Sequence, residues 1–374
     1  MPDDGSDGSA GANLEADPTD PPVGDATELV NCGLEEYDPQ FSSRISVKHV
    51  VDVTARFSDY KKWLVNEIGF GGMLKLPMVQ KLNLKFSAAV MAMVDADSHA
   101  ICIPINKVLK FWAEDVHKVF GIPCGNRDVN GRDGNISQDS INFMKSSLGM
   151  DKAGAHGLRA AKEFLNRDIN EESSKLETDC FQIVFVIFVM GHLLAPSTKY
   201  DYCQIDFWGA LANTENIAQF NWCDYVLQAA LDGVAKLKLD MSSKRRSINL
   251  VGCHLFLQVF LLDNLDLALF NMKHDVLPRA SAFDQVVLRR MITMAADKGR
   301  TPTSCSIPSP LRHAINVCYS RSKFVGIENI ELDRPIGGWH TEPSAHTTTT
   351  RRPGLQSTFC DAVQFQPPPY LPGR

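Results

Sequence analysis

Apolar residues at Val50, Val53, Phe57, Leu64 and Ile68 recur near the helical period. They predict one helix over 47–68, ended by Gly69 and the Gly71-Gly72 pair. Residues 84–94 predict a second, shorter helix. The runs 100–103 and 108–111 are rich in β-branched or aromatic residues and predict a small hairpin. Residues 113–120 carry the most complete local signal. Val116, Val119 and Phe120 form an apolar stripe, Glu114 and Asp115 sit in the first turn, and Lys118 sits in the last. Gly121 then suits the position after the helix, and Pro123 follows. Residues 124–137 read as a polar, glycine-rich loop. Further helices are expected over 138–148, 156–167, 177–195, 222–240, 247–263 and 283–296. Strand signal is otherwise scarce, and no repeat of fixed period stands out. The fold class expected is mainly α: a single helical domain with a minor β-hairpin.

Two runs, 180–194 and 248–262, are apolar on nearly every face. A membrane span takes about 20 apolar residues. The first run is shorter, includes Gln182 and His192, and stops at Pro196. The second holds Asn249, His254 and Gln258. Both are expected to be buried core helices.

Composition sharpens the domain map. The 374 residues are 44% hydrophobic and 22% charged, which excludes a mostly disordered chain, a collagen-like chain and a disulfide miniprotein. Residues 1–28 hold eight acids and no Lys or Arg, and ten of the 20 prolines fall in 300–374. The expected organisation is a disordered acidic tail over 1–39, a helical domain over 40–299 and a Pro-rich, mostly disordered tail over 300–374. The acidic start has no basic segment followed by an apolar one, so it does not read as a signal peptide. Net charge is −6, and the body between the two ends is close to neutral. It therefore presents no general electrostatic footprint for nucleic acid.

The chemistry-bearing residues form no recognisable set. No two of the ten cysteines are spaced C-x-x-C, which favours reduced, metal-free thiols. Cys253 and His254 are adjacent, so on a helix they point about 100° apart. His192, Cys203 and Cys223 lack zinc-ligand spacing. Gly69-Phe70-Gly71-Gly72 lacks a Walker lysine, and Gly131-Arg132-Asp133-Gly134 lacks dinucleotide-binding spacing. A helix end and a turn are the readings preferred for them. The run 171–177 is expected to be a solvated approach to a helix. Lys244-Arg245-Arg246 is expected to be a solvated loop. With Lys236 and Lys238, it is also the best basic face available to a nucleic acid.

Two stretches carry a resemblance. Gly69-Phe70-Gly71-Gly72-Met73-Leu74 is followed by FWAEDVHKVFGIPCG over 111–125, in which Glu114-Asp115-Val116 leads to the turn Gly121-Ile122-Pro123. This resembles the plant mobile domain, also called aminotransferase-like, of transposon-associated plant proteins. The segments 179–202, 220–227 and 249–266 are similar to a grass-specific branch often fused to a ubiquitin-like-protein protease. The resemblance covers about residues 40–299. Despite the family label, the chain offers no Schiff-base lysine with phosphate cup and pyridinium partner. Residues 300–374 are too short and Pro-rich for a protease domain. The resemblance implies a mobile-element-derived, non-catalytic protein-interaction module, not an enzyme, nuclear or cytoplasmic with the nucleus favoured. It implies no cofactor, no catalytic, cofactor-binding or metal residues, no membrane, and proteins as partners. A nucleic-acid-binding accessory protein of a transposable element is the alternative.

Overall fold

The computed structural model describes residues 37–104, 107–131, 135–150, 157–199, 201, 204–298 and 305–324. Of the expected tails 1–39 and 300–374, residues 1–36, 300–304 and 325–374 lie outside them. Within them the protein is mainly α-helical with a few short strands. Two helices form its centre. Helix α7 (Lys175–Val189) is buried from Cys180 onward and continues as a π-helical turn, Met190–Leu194. Helix α9 (His254–Asn264) is buried at all of its residues. The segment Lys175–Leu194 is the one described helix long and apolar enough to cross a membrane. Here it is sunk in the protein, as a core helix is.

The surrounding helices cover these two. Helix α2 (Asp59–Glu67) and α6 (Leu158–Leu165) lie on α7. Helix α3 (Leu84–Ala92), α4 (Ala113–Phe120) and α10 (Gln285–Ala295) lie on α9. Helix α8 (Trp222–Ser242) bridges α3 and α4. Helix α1 (Val47–Thr54) packs on the π-helical turn, and α5 (Gln138–Ser147) follows the polar loop. Side chains at their N-termini set many of the starts. Ser46, Ser58, Asn83, Ser137, Ser174, Asn221 and Asp284 each accept a backbone N–H of the first turn. At Ser174 the cap is reciprocal with Glu177, on the exposed approach expected at 171–177.

Helix α4 has the predicted bounds, and Val116, Val119 and Phe120 are fully buried. Gly121 adopts φ +63°, the left-handed turn that glycine supplies without strain. The Phe120–Gly121 backbone lies against Gly72 so closely that a Cβ there would fall on the Phe120 carbonyl oxygen. The two halves of the glycine-containing motif thus meet in space. Gly69, at φ +78°, ends α2 as a C-terminal turn.

The predicted hairpin is present as β3 (Ala100–Ile103) and β4 (Lys107–Lys110), antiparallel, one residue from the expected second strand. A short strand, β2 (Val94–Asp95), adds to β3. Three expectations need correction. The helix over 47–68 is two helices, because Ser58 accepts the Lys61 N–H at 3.3 Å and starts α2 afresh. The helix over 247–263 begins only at His254. Ser247–Leu250 is a strand, β5, paired in parallel with β1 (Gln40–Ser43). Its Ile248 and Leu250 are buried in alternation, and Gly252 at φ +71° turns the chain into α9. The third correction is the boundary at 299. Past β6 (Asp297–Lys298) and its partner β7 (Cys305–Ser306), residues 307–323 pack on the body, with Ile307, Val317 and Tyr319 buried. Arg312 N–H donates to Asn264 O at 2.8 Å, and Ser320 N–H donates to Asp115 Oδ1 at 2.6 Å. The folded body therefore extends to at least residue 324.

Phe120→Ala removes a fully buried ring beside the Gly72 contact and should destabilise the fold by about 3–5 kcal/mol. A denaturant titration that leaves the midpoint unchanged would refute this packing role.

Candidate functional site

The adjacent pair Cys253-His254 is buried, and the two side chains serve different ends. Cys253 precedes α9, and burial pushes its thiol up to about 12. The His254 ring is bonded at both nitrogens, Nε2 to Ser43 Oγ at 2.8 Å and Nδ1 to Ser87 Oγ at 2.9 Å. Gln258, one turn on, closes the chain of contacts. Its Nε2 donates to Asn83 O at 3.1 Å and also to Ser87 Oγ. A carbonyl only accepts, so the Gln258 amide has one orientation. Ser87 Oγ accepts that hydrogen and meets His254 Nδ1, and Ser43 Oγ meets the other ring nitrogen while also accepting the Ile45 N–H at 3.2 Å. Burial lowers the His254 pKa to about 3. His192 is separate, edge-on to Phe188 and His49, and burial lowers it to about 4.

Of the other candidates, Cys223 is buried, with its thiol raised by desolvation and by contact with Cys124. Cys124 is exposed and its pKa is lowered, chiefly by the neighbouring Cys223 side chain. Cys203 and residues 132–134 lie outside the described residues. Among the described residues no three His, Cys, Asp or Glu side chains gather as a metal set.

A constellation that the sequence did not reveal lies at the far end of α9. Cys318 Sγ is 3.2 Å from His274 Nδ1, and His274 Nε2 is 3.2 Å from Asp263 Oδ1 in a poorly aligned contact. The order Cys, His, Asp is that of a thiol protease. Its electrostatics run the other way. Asp263 is held by the Arg279 fork, Nε at 2.8 Å and Nη2 at 3.0 Å, and by Tyr319 OH at 2.7 Å. Burial alone would raise its carboxyl; the nearby His274 and the Arg279 hydrogen bonds outweigh that and leave it below its ordinary value. His274 Nδ1 also accepts the Cys318 backbone N–H at 3.0 Å, so the thiol competes for its lone pair. Burial pushes Cys318 up to about 11, where the nucleophilic thiolate is scarce at neutral pH. The cluster ties residues 317–321 to α9.

The basic residues singled out on α8 are largely engaged. Lys236 pairs with Asp240, which Arg245 also reaches at 3.1 Å, and Lys238 Nζ donates to Val94 O at 2.6 Å. Lys244, at φ +47°, is in the exposed turn expected there.

A groove of about 590 Å³ lies between β1, residues 81–85 and α10. Gln285 holds the middle segment in place. Its Oε1 accepts Lys81 N–H and its Nε2 donates to Lys81 O, both at 2.9 Å. Leu82, Leu84, Leu288 and Ile292 give the groove an apolar lining. Lys81, Lys85 and Arg289 stand on its exposed rim, where Lys85 meets Asp38 at 3.3 Å. Gln258 lines it from within, and its buried Oε1 has no partner among the described residues. These walls come from three chain-distant segments, so no local signal announced the groove.

Two outcomes follow for the titratable groups. The folded state keeps His192 and His254 unprotonated, whereas unfolded histidine binds a proton below about 6.5. Stability is therefore full above that pH and falls as pH drops below it, with a limiting slope of about 1.4 kcal/mol per unit for each histidine. Urea titrations between pH 7.5 and 5 check this, and a flat profile would contradict it. Iodoacetamide at pH 7.5 should label Cys124 well before Cys180, Cys253 and Cys318, as read by peptide mass spectrometry.

No curated protein and no solved structure matches the chain. A family model described as a domain of unknown function, DUF8566, matches residues 43–258. The matched stretch runs from Ser43 to Gln258 and so contains the whole polar chain through Ser87 and His254, but it ends before Asp263 and α10. With more than half of its length inside that match, the chain belongs to the DUF8566 family.

Proposed function

We propose that this protein is a non-catalytic protein-interaction module, derived from a mobile element and acting in the nucleus or the cytoplasm, with the nucleus favoured. The mobile-element origin and the compartment rest on the sequence resemblance. The observation that carries the interaction reading is the groove. It joins an apolar lining to a basic rim in which Lys81 and Arg289 have no acidic partner among the described residues. The Cys318–His274–Asp263 arrangement supports a structural role over a catalytic one, because its thiol is held protonated. The nucleic-acid alternative loses support at the end of α8 and the turn after it, where Lys236 and Arg245 share Asp240.

A photo-crosslinking residue placed at Thr293, exposed on the groove wall, tests the reading in cells of the native source. The expected adducts are proteins. Adducts to nucleic acid, together with DNA or RNA binding that weakens steeply with salt, would replace this reading with the alternative.

A further inference from the structure

Among the described residues, strand β1 has a neighbour on one side only. It belongs to a two-stranded sheet, paired with β5 in the register Gln40 to Ser247 through Ser43 to Leu250. Gln40 N–H donates to Arg246 O at 2.8 Å, which fixes which residues face β5. Backbone groups along a strand turn alternately to its two edges. Gln40 and Ser42 therefore address β5, and the N–H and C=O of Phe41 turn to the outer edge. No other described strand covers that edge. Phe41 itself lines the groove, so an open strand edge and the groove coincide.

An uncovered edge is a template for another strand. Proteins that bind peptides this way take affinity from main-chain hydrogen bonds and selectivity from pockets for alternate side chains. This groove has both elements: the Phe41 edge for main-chain bonds, and Leu82, Leu288 and Ile292 for apolar side chains. The rim chooses the charge. Lys85 is balanced by Asp38, while Lys81 and Arg289 have no acidic partner among the described residues. The partnerless Gln258 Oε1 adds an acceptor for a donor group of an occupant.

Taking the interaction-module reading as its basis, the geometry points to one occupant: an extended, acidic segment of a partner protein, alternating acidic and apolar residues, added as a strand along the outer edge of β1. The acidic side chains meet Lys81 and Arg289, and the apolar ones enter the groove.

The test uses the full chain and a fluorescein-labelled peptide of about eight residues alternating Glu and Val, a length that spans an ordinary strand. Fluorescence anisotropy should show saturable binding. N-methylation of alternate peptide nitrogens should abolish it in one register and spare it in the other, since only one set faces β1. The exposed double substitution Lys81→Glu with Arg289→Glu should weaken binding at least about tenfold. It should also admit a Lys-Val peptide, a gain that a misfolded variant cannot give. Equal binding of both N-methylated peptides, or indifference to the charge reversal, would overturn the proposal. Protein adducts from Thr293 alongside no binding of this peptide would sink the strand-addition proposal alone. Nucleic-acid adducts would remove the reading beneath it.

Discussion

Helix α9 imposes the constraint that organises this protein. It is buried on every face, yet four of its residues, His254, Gln258, Asp263 and Asn264, carry polar groups. Buried polar groups must be hydrogen-bonded or the fold loses their full hydration energy. The partners come from segments far apart in sequence. Ser43 of β1 and Ser87 of α3 serve His254, and Asn83 serves Gln258. Arg279 and Tyr319 serve Asp263, and Arg321 serves Asn264 at 2.7 Å. Satisfying one helix thus recruits both ends of the folded body.

The Asp263–Arg279 pair is the most demanding of these. Both side chains are fully buried, and Arg279 also donates to Lys273 O at 2.5 Å and Val276 O at 3.0 Å. A buried pair adds little over an apolar substitute, but removing one member leaves a naked charge at a cost of about 3–5 kcal/mol. The pair therefore acts less as a source of stability than as a condition on the path of residues 263–279. The same carboxylate accepts Tyr319 OH, so the path of the later segment is bound to it as well.

Much of this was legible where the signal is local. Helix α4 could be read because its acidic first turn, its apolar stripe and Gly121 all lie within nine residues. The buried nature of 180–194 followed from its unbroken apolar face. The break at Ser58 was hidden, because Val53 and Phe57 keep the helical spacing across it and only the cap tells the two cases apart. Strand β5 was hidden by running straight into the apolar α9, and only its parallel pairing with β1 distinguishes it. Prolines after 300 read as a loose tail, since nothing in that stretch indicates that Asp115, Asp263 and Asn264 await its backbone and side chains. The groove and the Cys318–His274–Asp263 cluster were out of reach for the same reason: each is a meeting of segments rather than a motif. The mainly helical class was decided early because helix periodicity is local and the sheet contribution is small.

The polar chain from Gln258 to Ser43 joins three elements at one buried ring. Because the Asn83 carbonyl admits only an N–H, the Gln258 amide is fixed in one orientation. Ser87 Oγ, the His254 ring and Ser43 Oγ follow in line. The row works like a rivet: it pins β1, α3 and α9 at a single point, so none of the three can slide past the others without breaking hydrogen bonds away from water.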